Sequence, residues 1–234
     1  MVWLSDNQIS QQRLDMYPWH KLLSFPTIYK LAMRALGGHA CRARFVDRYM
    51  LVQPGDRILD LGCGPGDLLD YLPAVDYVGI DVEPKYIASA RNRHGERGTF
   101  LCNDVVSVNE EGLHQFDIIV ASALIHHLSD DECIKLFHKC RRLLKENGRM
   151  VTLDGCRVPG QHMLDKWMLD LDRGEHVRTL EGYMQLATSV FPNVQASLHS
   201  NLLRIPYTHI VMELSLSLQK RGPHNLKLTH MRSM

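Results

Sequence analysis

Asp60-Leu61-Gly62-Cys63-Gly64-Pro65-Gly66-Asp67 decides how this chain folds. An apolar run, Ile58-Leu59, precedes it, and Leu68-Leu69-Asp70-Tyr71-Leu72 comes after it with the look of a helix start. Glycine at every second position lets the backbone turn tightly with no side chain in the way, so a flat ligand can lie against it. Strand, glycine turn and helix in that order aim helix N-terminal N–H groups at a polar or anionic group. Such a turn alone is weak testimony; its meaning depends on the strands and helices beyond it.

From about 55 to 154, strand and helix signals alternate. Strands are expected at 57–61, 76–81, 98–102, 116–121 and 149–154. Nearly continuous apolar runs such as Tyr77-Val78-Gly79-Ile80 and Ile118-Ile119-Val120 fit parallel strands covered on both faces. A helix opens near Pro84 and runs toward Arg93. The clearest helix begins with a Ser129/Glu132 capping box, carries Asp130, Asp131 and Glu132 in its first turn and Arg141, Arg142 and Lys145 in its last, and is expected to end at Gly148. After Asp154, helical stretches are expected around 162–172 and 180–190, then strands at 193–200 and 207–216 joined closely enough to be antiparallel neighbours. The whole reads as an α/β fold: a doubly wound, Rossmann-like seven-stranded sheet with a C-terminal antiparallel strand pair and an N-terminal helical cap. Residues 1–50 form the cap, rich in Trp3, Tyr17, Trp19, Phe25 and Tyr29; 51–218 form the ligand-binding domain; 219–234 form a polar tail.

Bulk properties narrow the classes. The 234 residues suit one domain with an appendage, and 45% hydrophobic content supports a buried core. A net charge of +1 argues against a dedicated nucleic-acid binder. Cysteines 41, 63, 102, 133, 140 and 156 lack zinc-type or redox-type spacing; most fall within apolar runs, so buried free thiols in a reducing compartment are expected. No apolar run approaches membrane-spanning length and no export signal opens the chain, so a cytoplasmic protein away from membranes is expected. Thirteen histidines are scattered, and the His126-His127 pair lacks the i, i+4 spacing of a helical zinc site, so no metal is expected.

Four features fall in order at the C-terminal ends of successive strands, where open α/β sheets bind ligands. They are the glycine turn introduced by Asp60, then Asp81, then Asn103-Asp104, then Ala121-Ser122-Ala123-Leu124-Ile125-His126-His127-Leu128. Asp81, 15 residues beyond Gly66, suits a ribose diol. A nicotinamide dinucleotide wants Gly-x-Gly-x-x-Gly, whereas here Asp67 stands where the third glycine belongs, an acid that would repel a pyrophosphate. A sulfonium with an amino-acid tail is better matched by Asp60, Asp81 and Asp104.

At these motifs the sequence resembles class I S-adenosylmethionine-dependent methyltransferases of the small-molecule type. Asp60-x-Gly62-x-Gly64-x-Gly66 is similar to the family's glycine loop, Asp81 to its ribose acid and Asp104 to its adenine-side acid; Phe116–Val120 with Ile125–Leu128, and Leu143-Leu144-Lys145-x-x-Gly148-Arg149, match its later segments. The resemblance implies S-adenosyl-L-methionine as cofactor, held by Asp60, Gly62, Cys63, Gly64, Gly66, Asp81, Val82, Asp104, Val105 and Ala121. It implies a small-molecule acceptor, most readily a hydroxyl, with nitrogen and carbon left open. RNA or protein acceptors would want a basic face or an added domain. His126 and His127 are the base candidates, since histidine titrates near neutral pH, and Asp154 can orient one of them. Arg173, Arg178 and Arg204 are weaker candidates for an acidic acceptor, and Met163, Trp167 and Met168 for substrate packing. Oligomeric state is not readable.

Overall fold

The computed structural model describes residues 37–110, 112–113, 115–171 and 175–217. Most of the expected cap (1–36), Arg173 and the tail from 218 lie outside the described residues, so the cap's Tyr17, Trp19 and Tyr29 are not placed. The sheet has seven strands: β1 (Arg57–Leu61), β2 (Asp76–Asp81), β3 (Thr99–Cys102), β4 (Phe116–Ser122), β5 (Leu144–Gly155), β6 (Asn193–His199) and β7 (His209–Ser215). Their order is β3-β2-β1-β4-β5-β7-β6, with β1 to β5 parallel and β7 antiparallel to both β5 and β6. The expected architecture is thus present, antiparallel pair included. The helices are α1 (Gly38–Phe45), α2 (Pro84–His94), α3 (Asp130–Leu143), α4 (Met163–Leu171) and α5 (Leu180–Thr188), with a π-helical turn over Val46–Met50 continuing α1.

Alternation along the strands splits the apolar side chains between two cores. Ile58, Ile118 and Val120 face α1 and α2 together with Phe45, Met50 and Ile87. Leu59, Ile119 and Ala121 face α3 and α5 together with Leu136, Phe137, Tyr183 and Leu186. Burial on both sides is why the central strands read as unbroken apolar runs. Each large side chain buried this way contributes about 1.5–3 kcal/mol of transfer free energy, so the strand ends on which the site is built sit on a stiff platform.

Two expectations are corrected. The glycine turn leads into a single 3-10 turn, Asp67–Tyr71, not a helix. Leu72 precedes Pro73, whose ring disfavours helical backbone at the residue before it, and Leu72 is extended at ψ 145°. Helix α3 keeps its capping box, with Ser129 Oγ accepting from the Glu132 N–H and Glu132 Oε2 accepting from the Ser129 N–H at 2.9 Å. It ends at Leu143, however, before Gly148: Leu144 is extended, buried and paired with Phe116 in β5, which places Lys145 and Gly148 in the strand. Burial of Leu144 against the sheet outweighs the helical signal. Gly148 is there for close approach, since a Cβ would lie 2.7 Å from the Phe116 carbonyl oxygen.

Candidate active site

The glycine loop leaves β1 with Gly62, Gly64 and Gly66 at φ 70°, 54° and 75°, a left-handed region that favours glycine. Space separates their roles. A Cβ on Gly64 would meet nothing within 4 Å, so this is the open face of the turn. One on Gly66 would press against His94 at 2.8 Å and Phe100 at 3.2 Å. Asp81, at the end of β2, holds the loop: Oδ2 accepts from the Gly64 N–H at 2.8 Å and Oδ1 from the Glu83 N–H at 2.9 Å. Two oxygens carry about four acceptor sites, so lone pairs remain for a diol.

Asp60 lies beneath the loop. It is buried, and its Oδ2 accepts from the Tyr77 hydroxyl at 2.6 Å. Burial pushes its carboxyl up to about 7, against the lowering effect of the Tyr77 bond. Near neutrality Asp60 therefore gives the cleft less negative charge than the sequence suggests, and that charge rests on Asp81 and the exposed Asp104. Cys63 is buried with its thiol pushed up by burial, and its side chain packs where a Cβ on Gly79 would sit. After β3, Asn103 Oδ1 accepts from the Asp104 N–H and Asp104 Oδ1 from the Val106 N–H, both at 2.9 Å. Lys139 of α3 clamps that loop by donating to the Val106 and Val108 carbonyls at 2.7 and 2.6 Å. Val82 is 70% exposed, Val105 is buried, and the Ala121 side chain lies in the core.

Asp67 does not stand as a free acid at the loop. Its carboxylate pairs with Arg93 and, at 3.5 Å, with Arg42. Its charge is balanced locally, which weakens the repulsion of a pyrophosphate that its position in the sequence suggests.

The expected catalytic residues gather at the ends of β4 and β5. Ala123 takes a left-handed φ of 55°, a conformation that costs a residue with a Cβ about 1–2 kcal/mol, and its N–H donates to the Leu153 carbonyl at 2.7 Å. The turn delivers His126 onto Asp154. His126 Nδ1 lies 2.8 Å from Asp154 Oδ1, which also accepts from the His126 backbone N–H at 3.3 Å; both residues are 1% exposed. A carboxylate only accepts, so in this bond Nδ1 is the ring nitrogen that donates. The His127 ring, exposed, lies 4.3 Å from that of His126. The expected His126, His127 and Asp154 thus come together.

Arg178 does something the sequence did not suggest. It is turned inward and bonded to the His126–His127 loop, not offered to an acidic acceptor. Asp165 was not foreseen either: it is buried and accepts from both the N–H and hydroxyl of Thr208, fixing α4 to the start of β7. An acid in an amphipathic helix reads as surface, and only tertiary pairing reveals it. Met163 and Trp167, 83% and 48% exposed, stand on the outer side of α4. Arg204 is exposed beside Gly37. Among the described residues, no group of three or more His, Cys, Asp or Glu side chains is placed to hold a metal, and no helix is long and apolar enough to cross a membrane.

Residues 58–148 match the family model described as a methyltransferase domain. The match runs from β1 into β5 and takes in the glycine loop, Asp81 and the His126-His127 pair, and the seven-strand order is the one expected from the sequence. Among similar proteins, phosphoethanolamine N-methyltransferase 3 of Arabidopsis thaliana is 28% identical over 190 residues, covering 78% of this chain and 38% of that protein. The chain thus spans well under half the length of that relative. The pyocyanin biosynthetic protein PhzM superposes with a TM-score of 0.63 at 18% identity, over 88% of this chain and 61% of that one. The plantazolicin methyltransferase BpumL, solved with a triazolic desmethylPZN analog and SAH, superposes with a TM-score of 0.60 at 17% identity, over 89% and 98%.

Proposed function

We propose that this chain transfers a methyl group from S-adenosylmethionine to a small-molecule acceptor, with a hydroxyl as the acceptor group. The buried His126–Asp154 pair carries the reading. The cofactor fits the donor side, where Gly64 leaves open backbone and Asp81 keeps acceptor capacity. Asp81 would take the ribose, the 62–66 backbone the amino-acid tail, and Val82, Asp104 and Val105 the adenine. Bound there, the cofactor supplies a methyl already activated on a sulfonium. The chain's remaining work is to orient the acceptor and hold its proton.

His126 is the base in this reading. Asp154 fixes its tautomer and leaves Nε2 to receive a proton, and the buried carboxylate stabilises the imidazolium that forms. His127, exposed beside it, favours a second assignment in which the acceptor meets His127 first and His126 with Asp154 supports it. Nitrogen as the accepting atom is the second chemistry, favoured by the phosphoethanolamine N-methyltransferases among the relatives. Like the activity itself, a cap over the cleft made by residues 1–50 and a cytoplasmic setting are proposals.

Calorimetry with S-adenosylmethionine and S-adenosylhomocysteine tests the donor claim. The expected result is binding that weakens about 10–100-fold in Asp81→Ala, the loss typical of a charged hydrogen-bonding partner. No binding by the native protein, or binding indifferent to Asp81→Ala, would sink it. Release of S-adenosylhomocysteine against a panel of phenols, sugars and phosphoethanolamine then separates oxygen from nitrogen.

A further inference from the structure

All five guanidinium N–H donors of Arg178 are engaged by the protein. Nε and Nη2 donate to Asp130 Oδ1 at 2.9 and 2.7 Å, Nη2 to the Leu128 carbonyl at 2.6 Å, and Nη1 to the Ile125 and His176 carbonyls at 3.2 and 3.0 Å. The side chain is 10% exposed and its guanidinium lies 5.8 Å from the centre of the Tyr183 ring. Tyr183 in turn donates to the Gly155 carbonyl at 2.9 Å, one residue beyond Asp154. Ile125 and Leu128 bracket His126-His127, and the His176 N–H donates to the His126 carbonyl at 2.9 Å.

We infer that Arg178 is a positioning residue for methyl transfer: it locks the His126–His127 loop against Asp154 from the segment that follows α4. Asp154 holds His126 by its ring and its own N–H, but nothing in that pair fixes the carbonyl side of the loop or its exit into α3. Arg178 fixes both, spanning Ile125, Leu128 and Asp130. Its planar fork satisfies three carbonyls and a carboxylate at once, which a lysine ammonium cannot do. Arg178 therefore ties the histidine loop to the segment between α4 and α5. Misplacing a base by about 1 Å costs on the order of 100-fold in rate. The inference rests on the proposed role of His126 and His127, and its test does not require the acceptor to be known.

The variants are Arg178→Gln and Arg178→Lys in the full chain. In Arg178→Gln, amide exchange at 125–128 should rise at least about tenfold with the central strands unchanged, as local opening requires. The downfield NMR signal of the His126 Nδ1 proton should broaden or vanish, while S-adenosylhomocysteine affinity stays within about threefold. Arg178→Lys should recover most of the thermal midpoint but not the signal. With an acceptor in hand, turnover should fall and the KM for S-adenosylmethionine should not. Should Arg178→Gln not fold, Asp130→Asn serves: it is expected to raise exchange at 125–128 in the same direction. Unchanged exchange and an intact proton signal would overturn the inference, as would a uniform rise across the sheet. Absence of transfer to any acceptor by the native protein would fail the functional reading, leaving exchange and the proton signal to judge Arg178.

Discussion

The donor and acceptor sides of the cleft sit on the same strand ends but are held by different means. On the donor side carboxylates accept from backbone N–H groups nearer in sequence: Asp81 reaches Gly64 seventeen residues away, and Asp104 caps its own turn. On the acceptor side they span more of the chain: His126 meets Asp154 side chain to side chain across 28 residues, and the Arg178 guanidinium reaches the Leu128 carbonyl across 50. A ligand shared by many enzymes is held by backbone geometry that almost any surrounding sequence can support. An acceptor particular to one enzyme is met by side chains whose partners come from elsewhere in the chain. The two sides should therefore fail differently when altered.

The largest effect is expected at the His126–Asp154 pair. His126→Ala and Asp154→Asn should each lower turnover by about 10²–10⁴-fold, the usual share of a positioned base. Affinity for S-adenosylhomocysteine should move little. Asp154→Asn would leave a buried amide beside the imidazole, so its thermal midpoint should drop as well. His127→Ala decides between the two histidines: if it loses more turnover than His126→Ala, the exposed ring is the base. Transfer assays and calorimetry on the same preparations read both sides at once, and equal losses in turnover and cofactor affinity would erase the contrast between them.

Next come the glycines, which break the donor side without touching the acceptor side. Gly66→Ala puts a Cβ 2.8 Å from His94 at φ 75° and should cost about 2–3 kcal/mol of stability through strain and displaced packing. Gly64→Ala meets open space, so only its φ of 54° is penalised, by about 1 kcal/mol. In the proposed reading its added methyl intrudes on the cofactor's amino-acid tail. The expected signature is an inversion: Gly66→Ala unfolds earlier, whereas Gly64→Ala loses more cofactor affinity relative to its stability. Denaturant titration beside calorimetry would show it, and parallel losses in both would mean that Gly64 does not face the ligand.

The same asymmetry governs what could be read from sequence. The glycine turn, Asp81, Asn103-Asp104 and the capped helix at Ser129 were legible because each is a local device: a φ requirement, a strand end, a cap. Asp154 was legible as the partner of one of the two histidines, but which of them it meets was not, because periodicity says which strand ends meet and not which side chains touch. Arg178 and Asp165 were opaque. Both are charged residues in ordinary polar surroundings, and their partners, carbonyls of the 125–128 loop and Thr208, come within reach only once the chain is folded. The misread role of Asp67 has the same origin, since Arg93 and Arg42 arrive from two other helices.

The most gradual effect, a slope with pH and the sharpest test of the donor side, concerns Asp60. Its folded-state carboxyl is pushed up to about 7 from an ordinary 3.8, chiefly by burial. Below about pH 4 both folded and unfolded states hold the proton and the group contributes no slope. Between about 4 and 7 the unfolded chain ionises first, the folded state binds more protons, and stability falls by up to about 1.4 kcal/mol per pH unit from this group. Above 7 the loss is complete and the contribution levels off. His209 acts in the opposite sense, since burial lowers its imidazole to about 4 and acid between 6.5 and 4 destabilises the neutral ring, so the raw profile mixes the two. Asp60→Asn separates them. Asparagine mimics the protonated acid and can still accept from the Tyr77 hydroxyl. The variant should therefore gain on the native protein as pH rises from 4 to 7 and keep a constant advantage beyond it. Denaturant midpoints at four pH values would check this. If the two profiles stay parallel, Asp60 is ionised at neutral pH, the Tyr77 bond offsets its burial, and the donor side regains a third negative charge.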